Sequence, residues 1–277
     1  MIKTIDVTKG ETSELYKYLS SAITPRPIAL VSTISAKGIK NLAPFSFFNA
    51  FSINPPILIF SPASRVRDNT SKHTLQNVKE TKECVIGLVT EDIAQQVSLT
   101  SCDFPNEVNE FKKAGLTEVK SEIISSARIE ESPINFECKV NDIIELGKEG
   151  GAGNLVISEI LKMHINTSIL DDHENIDPFK INIVSRYGAS WYGKTTRDSL
   201  YEIAKPISNI GMGIDNLPDQ IKESSILTGN ELAILASADK IPEVKRNLHK
   251  ISISERHEKA KILLQNGEIN KAWEILL

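Results

Sequence analysis

The chain has 277 residues, 40% of them apolar and 25% charged, enough for one large core or two modest ones and too apolar for a disordered chain. Its 32 Lys and Arg against 36 Asp and Glu leave a net charge of −4, mixed along the sequence, so no basic stripe invites a nucleic-acid backbone. No apolar run approaches the roughly 20 residues that cross a bilayer, and the start MIKTIDVTKGETSEL lacks the layout of a secretory signal, so a cytoplasmic protein free of membrane is expected.

Residues 27–62 alternate apolar stretches with turn signals at Ala36-Lys37-Gly38 and Asn54-Pro55-Pro56, which predicts consecutive antiparallel strands in a meander. A helix is expected to begin near Thr70, where Asp68, Asn69, Thr70 and Ser71 offer N-caps and Leu75, Val78 and Lys79 follow, before a strand over 84–90. Two further helices are predicted over 92–100 and 106–114, then long strands over 134–147 and 154–165 joined by KEGGAGN. A strand follows those glycines, so they predict a hairpin turn and not a dinucleotide-binding loop.

Beyond about residue 197 strand patterns fade, and ELAILASAD, SERHEKAKILLQNG and EINKAWEILL carry apolar residues at helical spacing. Ile262, Leu263, Ile269, Ala272, Trp273 and Leu276 are expected on the inner face of a closing helical hairpin. The division predicted is 1–196 for a β domain and 197–277 for a helical C-terminal extension. Cys84, Cys102 and Cys138 form no C-x-x-C pair and predict buried or half-buried free thiols, with no metal site.

The stretch GASWYGKT, residues 188–195, satisfies the phosphate-loop pattern G-x-x-x-x-G-K-[ST]. INIVS, residues 181–185, can be a strand before it and TTRDSLYEIA can start a helix after it. A phosphate loop needs further strand–helix units to complete a parallel sheet, however, and only about 80 residues follow, with few strand candidates. The match is therefore treated as accidental.

A phosphate site has better support at the helix near Thr70. Free N–H groups at a helix start usually draw acidic side chains, yet this one carries Thr70, Ser71, Lys72 and Thr74. Hydroxyls and an ammonium there suit a bound anion, the alternative being an ordinary cap followed by a solvated lysine. In NLAPFSFFNAF, residues 41–51, Asn41, Ser46 and Asn49 interrupt an apolar stretch, and buried polar groups need partners. The heteroatom edge of a flat ring is one such partner, with main-chain groups of Leu42, Ala43 and Phe47 adding donors and acceptors. Phe45, Phe47 and Phe48 suit either a core or a cofactor stack.

The ordered blocks PRPIALVST, NLAPFSFFNAFSINPPILIF, KHTLQNVKETKECVIGLV, NLVISEILKMHI and DPFKINIVSRYGASWYG resemble the flavin reductase-like family of FMN-binding split β-barrel proteins. The resemblance covers residues about 20–195, and LTGNELAIL is similar to the tail of longer members. It implies a mainly β (α+β) fold: a split β-barrel of Greek-key-like antiparallel strands with peripheral helices. Arg186-Tyr187-Gly188-Ala189-Ser190-Trp191-Tyr192 is similar to the family loop R-x-G-G-x-x-Y, with Ala189 where a second glycine is common. His73 stands where the family often has aspartate.

Carried onto this sequence, the resemblance implies that Thr33, Asn41, Leu42, Ala43 and Ser46 hold the ring and ribityl parts of FMN, with Phe47, Asn49 and Ser61 nearby, while Lys72 and Thr74 hold the phosphate. Arg26, between Pro25 and Pro27, adds charge at the phosphate end or braces a loop. His164 faces the nicotinamide as a catalytic candidate or is structural, and Trp191 covers the ring or seals a dimer edge. The implied activity is NAD(P)H-dependent FMN reduction in a homodimer, with NADH or NADPH as co-substrate and a flavin-dependent monooxygenase or other redox protein as possible recipient. A flavoredoxin-type electron carrier and a flavin-free binding module are the alternatives.

Overall fold

The computed structural model describes all residues except 204, 209 and 244–250, so part of the expected helical extension lies outside the described residues. The chain divides into two compact units, Met1–Leu200 and Tyr201–Leu277.

The first unit opens with a helix that sequence reading missed, α1 (Thr12–Ala22), which buries only Ser20. Strands β1 (Arg26–Pro27), β2 (Ala29–Ile34), β3 (Lys40–Phe45), β4 (Phe48–Ile53) and β5 (Pro56–Phe60) follow, then α2 (His73–Thr81) and β6 (Glu83–Leu88). Short helices α3 (Ala94–Leu99) and α4 (Glu110–Ala114) lead to a small ribbon, β7 (Glu118–Val119) with β8 (Arg128–Ile129). The long hairpin β9 (Ile134–Glu145) and β10 (Asn154–Ile165) turns through the KEGGAGN loop, as predicted, and β11 (Val184–Arg186) pairs with β1 and with β12 (Tyr192–Lys194).

The meander does not form. In the seven-stranded sheet the order is β3-β2-β6-β9-β10-β5-β4, so the hairpins β2–β3 and β4–β5 stand at opposite edges. Six steps of about 4.8 Å would separate β3 from β4 in a flat sheet, near 29 Å, whereas Phe45 and Phe48 are three residues apart and span at most about 11 Å. The sheet must therefore roll up until its edges meet. No ladder joins them, which leaves a seam, and across the barrel interior Phe45 and Phe60 lie with ring centroids 5.4 Å apart.

Strand periodicity sorts the core into two faces. Ala29, Val31, Cys84 and Ile86 join Phe60, Leu75, Val78 and Val156 in one cluster, whereas Leu30, Val85, Val97, Phe111 and Ile129 form another, packed with α3 and α4. Cys84 and Cys138 are buried and directly opposite on β6 and β9, and Cys138's thiol pKa is pushed up by Cys84 and by burial; Cys102, by contrast, is exposed.

The second unit comprises α5 (Asp219–Lys222), α6 (Gly229–Ala236), α7 (Ile253–Gln265) and α8 (Ile269–Leu276). Capping boxes start α6 (Thr228 with Glu231) and α7 (Ser252 with Glu255). Ala272, Trp273 and Leu276 are buried and Leu263 and Ile269 pack against them, but Ile262 is 59% exposed. The buried stripe of α7 runs through His257, Ala260 and Leu264, and Ile262 falls on its far side. The helix read from TTRDSLYEIA is only a single 3₁₀ turn, Arg197–Ser199. Among the described residues no helix is long and apolar enough to cross a membrane.

Candidate functional site

Residues 61–72 link β5 to α2 and fold around one arginine. Arg65 N–H donates to the Thr70 carbonyl at 3.0 Å, and its Nη1 donates to Thr70 Oγ1 and to the Ser71 carbonyl, both at 2.9 Å. Asp68 accepts from the Thr70 hydroxyl at 2.6 Å and from Arg67 Nε at 3.0 Å, which brings its carboxyl pKa down to about 2. Helix α2 begins at His73, one residue later than a Ser71 cap would give, with Lys72 as an N-cap whose side chain makes no cap bond. Lys72 is thus free to point its ammonium elsewhere.

It points at Asp103. The carboxylate accepts from Arg65 Nε and Nη2 at 3.0 Å, from Arg67 Nη2 at 3.0 Å and from Lys72 Nζ at 3.4 Å. Three cations therefore converge on one anion beside the start of α2, and Asp103's pKa is lowered, chiefly by the hydrogen bond from Arg65. Sequence reading found Lys72 but missed Arg65, Arg67 and Asp103. The run SRVRDNTSK, three cations within eight residues, was the available signal for the first two.

Behind this corner lies a buried polar network. Thr74 Oγ1 donates to Asn41 Oδ1 at 2.7 Å, Asn77 Nδ2 to Thr33 Oγ1 at 3.0 Å, and Asn41 Nδ2 to Glu110 Oε1 at 3.0 Å. Leu42 N–H donates to Glu110 Oε2 at 3.0 Å. Burial raises the Glu110 pKa, against the pull of those donors. Thr33, Asn41 and Thr74 thus have protein partners, and Glu110 is a member that sequence reading missed.

A narrow cleft of about 60 Å³ opens onto the network and the cationic corner, lined by Asn41, Ala43, Phe45, Lys72, Thr74 and Asp103 among others. A water's share of liquid is about 30 Å³, so the cleft as it stands has room for about two. A second, open hollow of about 220 Å³ is lined by Phe47, Phe48, Asn49, Phe51, Ser61 and Leu155. Ser61 N–H donates to the Phe47 carbonyl at 2.8 Å, while Asn49 is exposed and caps its own strand through Ala50 N–H at 2.8 Å.

The remaining predicted residues lie apart from the cationic corner. Arg26 is 5% exposed and donates to the carbonyls of Ser20, Ile23 and Tyr187 and to Ser46 Oγ, with its guanidinium 5.8 Å from the Phe47 ring. It braces α1 against the β3–β4 turn and the 187 loop, and the cations that gather at Asp103 are Arg65, Arg67 and Lys72 instead. Trp191 is 73% exposed and shares a shallow hollow with Ser21, Tyr187 and Tyr192. Lys194, the lysine of the phosphate-loop pattern, lies on short strand β12, pairs with Glu91 at 2.9 Å and is followed by the single 3₁₀ turn Arg197–Ser199 in place of an α-helix.

His164 lines none of these hollows. Its Nε2 lies 2.7 Å from Glu137 Oε1, and that carboxylate also accepts from the N–H groups of Glu122 and Ile123 at 2.9 Å. The Glu137 carboxylate thus ties the 122–123 segment to β9, with the His164 ring beside it.

The donor set suits a flavin phosphate: a positive corner, hydroxyls and a helix start, beside main chain and aromatic rings. The family model "Flavin reductase like domain" matches residues 20–178. An "uncharacterized protein" of Aquifex aeolicus (strain VF5) is 40% identical over 187 residues, 68% of this chain and 92% of that protein. Nitrilotriacetate monooxygenase component B from Bacillus cereus superposes with TM-score 0.68 at 27% identity, covering 73% of this chain and 99% of that one. A protein with a split barrel domain from Shewanella frigidimarina NCIMB 400 superposes with TM-score 0.61 at 22% identity, over 72% of this chain and 96% of that one, and shows the fold alone. The rolled sheet with its open seam is a split barrel, and the chain belongs to the flavin reductase-like family of FMN-binding split-barrel proteins.

Proposed function

We propose that the first unit binds FMN and catalyses its reduction by NADH or NADPH, the reduced flavin then serving a monooxygenase or another redox protein. The observation that carries this reading is the convergence of Arg65, Arg67 and Lys72 beside the first turn of α2, within a chain of the flavin reductase-like family. The partner is supported by the likeness to a monooxygenase component B.

In this reading Lys72 and Arg65 hold the phosphate, with Thr74 turned between it and Asn41. Ala43, Leu42, Ser46 and Phe47 supply main-chain and side-chain contacts for the ring and ribityl chain, and Asn49, Ser61 and Trp191 border it. The Asn41–Thr74–Glu110 network keeps β3 fixed against α2 and α4, so the contacts are set before ligand arrives. Flavin, when bound, supplies the hydride-accepting ring, which is why no protein nucleophile or triad is required. Glu110 and His164 need not exchange protons with substrate.

A homodimer is also proposed. Tyr16 and Leu19 of α1 and Phe51 and Ile53 of edge strand β4 are 58%, 49%, 64% and 86% exposed, and the Tyr16 and Phe47 rings meet at 6.5 Å. Such exposed apolar side chains call for a cover.

Anaerobic mixing of the FMN-loaded protein with NADH or NADPH tests the activity. Bleaching of the visible flavin band with at least one donor is expected; a yellow protein that ignores both would be a carrier, and the reductase assignment would fall.

A further inference from the structure

We propose that Asp103 is a built-in competitor for the phosphate of the flavin, an idea that rests on the FMN reading above: its carboxylate bridges Arg65, Arg67 and Lys72, and an incoming phosphate monoester exchanges with it as residues 100–104 withdraw.

Three observations converge on this residue. Among the described residues the charged contacts of Asp103 are to the three cations of the corner, at 3.0 to 3.4 Å: Arg65 Nε and Nη2 and Lys72 Nζ share Oδ1 and Arg67 Nη2 takes Oδ2, charge-assisted donors that a phosphate would also use. The segment that carries it, Thr100, Ser101, Cys102, Asp103 and Phe104, forms one wall of the cleft, whose opposite wall holds Asn41, Ala43, Lys72 and Thr74. That cleft measures about 60 Å³, whereas sites for drug-sized ligands are about 300–1,000 Å³, so a ligand reaching the corner must move a wall.

The wall that carries Asp103 is the one able to yield. Asp103 itself is exposed, and its neighbours are held by short local bonds: Cys102 N–H to the Leu99 carbonyl at 3.2 Å and Phe104 N–H to the Cys102 carbonyl at 2.9 Å. The facing wall is β3 and the first turn of α2, tied together by the buried Asn41 network. Charge points the same way. With Asp103 withdrawn, Arg65, Arg67 and Lys72 stand against Asp68 alone, a surplus of two positive charges that a phosphate monoester, close to a dianion at neutral pH, cancels. Asp103 therefore sets affinity for the phosphate while leaving the ring contacts untouched, and favours ligands carrying a dianion over weaker anions.

Asp103→Asn keeps the size and removes the charge. Wild type and variant, as full-length protein, are titrated with FMN, riboflavin and inorganic phosphate. The expected result is FMN binding about tenfold tighter in Asp103→Asn, phosphate tightened in the same direction, and riboflavin unchanged, because an exposed ion-pair cluster contributes on the order of tenfold in an equilibrium constant. A purely structural tie between the loops would shift FMN and riboflavin together. Equal or weaker FMN binding in the variant overturns the competitor and leaves the FMN assignment standing. If neither protein binds FMN while phosphate binds more tightly to the variant, the FMN assignment falls and the competitor holds for another phosphate monoester. If FMN binds neither protein and phosphate binds both equally, both are overturned. Matching thermal melts confirm that the variant is folded.

Discussion

Asn41 on β3 and Glu110 on α4, 69 positions apart, meet through a 3.0 Å hydrogen bond from Asn41 Nδ2 to Glu110 Oε1. The second carboxylate oxygen takes the N–H of Leu42, so one buried side chain satisfies two donors of the barrel's edge strand. Glu110 is 3% exposed, and its loss would leave both donors without a partner.

Glu110→Ala is accordingly expected to lower stability by about 2–4 kcal/mol in urea unfolding, with loosening at β3. The pH dependence carries a definite sign. Burial raises the folded-state pKa of Glu110 above its unfolded 4.5, so its contribution is fully present below 4.5 and is lost as pH rises through the raised folded value. Unfolding series for wild type and Glu110→Gln should diverge over that window, with wild type losing stability relative to the variant as pH rises. A parallel pair of curves would contradict the assignment.

Glu137 has the opposite sign. Its folded pKa is lowered by the backbone N–H groups of Glu122 and Ile123 and then by His164, which together outweigh burial, so its stabilisation is present above 4.5 and is lost as pH falls through the lowered value. Glu137→Ala should cost about 2–4 kcal/mol and His164→Ala about 1–2 kcal/mol. Because His164 lies outside the cleft, its substitution should leave FMN affinity and the rate of nicotinamide-driven bleaching within about twofold of wild type at temperatures where both are folded. A large fall in that rate with unchanged stability would restore it as a catalytic candidate.

The glycine-rich β9–β10 turn supports the cationic corner from behind. A Cβ at Gly150 would come within 2.9 Å of the Val66 carbonyl and 3.0 Å of the Arg65 carbonyl, and Gly151 N–H donates to the Ser64 carbonyl at 3.0 Å. Gly150→Ala must push on the backbone that carries Arg65 and Arg67. The expected outcome is FMN affinity reduced by about three- to tenfold, riboflavin affinity little changed, and melting lowered by only a few degrees. Calorimetric titration with both ligands measures the split.

The long strands were legible in sequence because β9 and β10 repeat β-branched and apolar residues over twelve positions each, and the turn between them is written in glycine. Strand order was not legible: β3 and β4 are separated only by Ser46 and Phe47, and nothing local says that β6 pairs with β2 and sends those neighbours to opposite edges. Helix α1 was legible in principle, since Leu15, Tyr18, Leu19 and Ala22 recur at helical spacing, although the helix buries only Ser20. Lys72 could be singled out because a cation is out of place at a helix start, whereas Asp103 gains its meaning only from being brought 31 positions back to Lys72 by the fold. The phosphate-loop letters around Lys194 show the converse, a complete motif spanning the turn between two antiparallel strands, β11 and β12, and followed by a single 3₁₀ turn, without the parallel strand and α-helix that give it function.

The most direct test of the account is a binding titration of FMN and riboflavin against wild type, Arg65→Met, Lys72→Met and Lys194→Ala. The account predicts that wild type binds FMN well above riboflavin, that each of the first two substitutions weakens FMN by about tenfold or more while sparing riboflavin, and that Lys194→Ala changes neither. FMN affinity indifferent to Arg65 and Lys72, or abolished by Lys194→Ala, would contradict it.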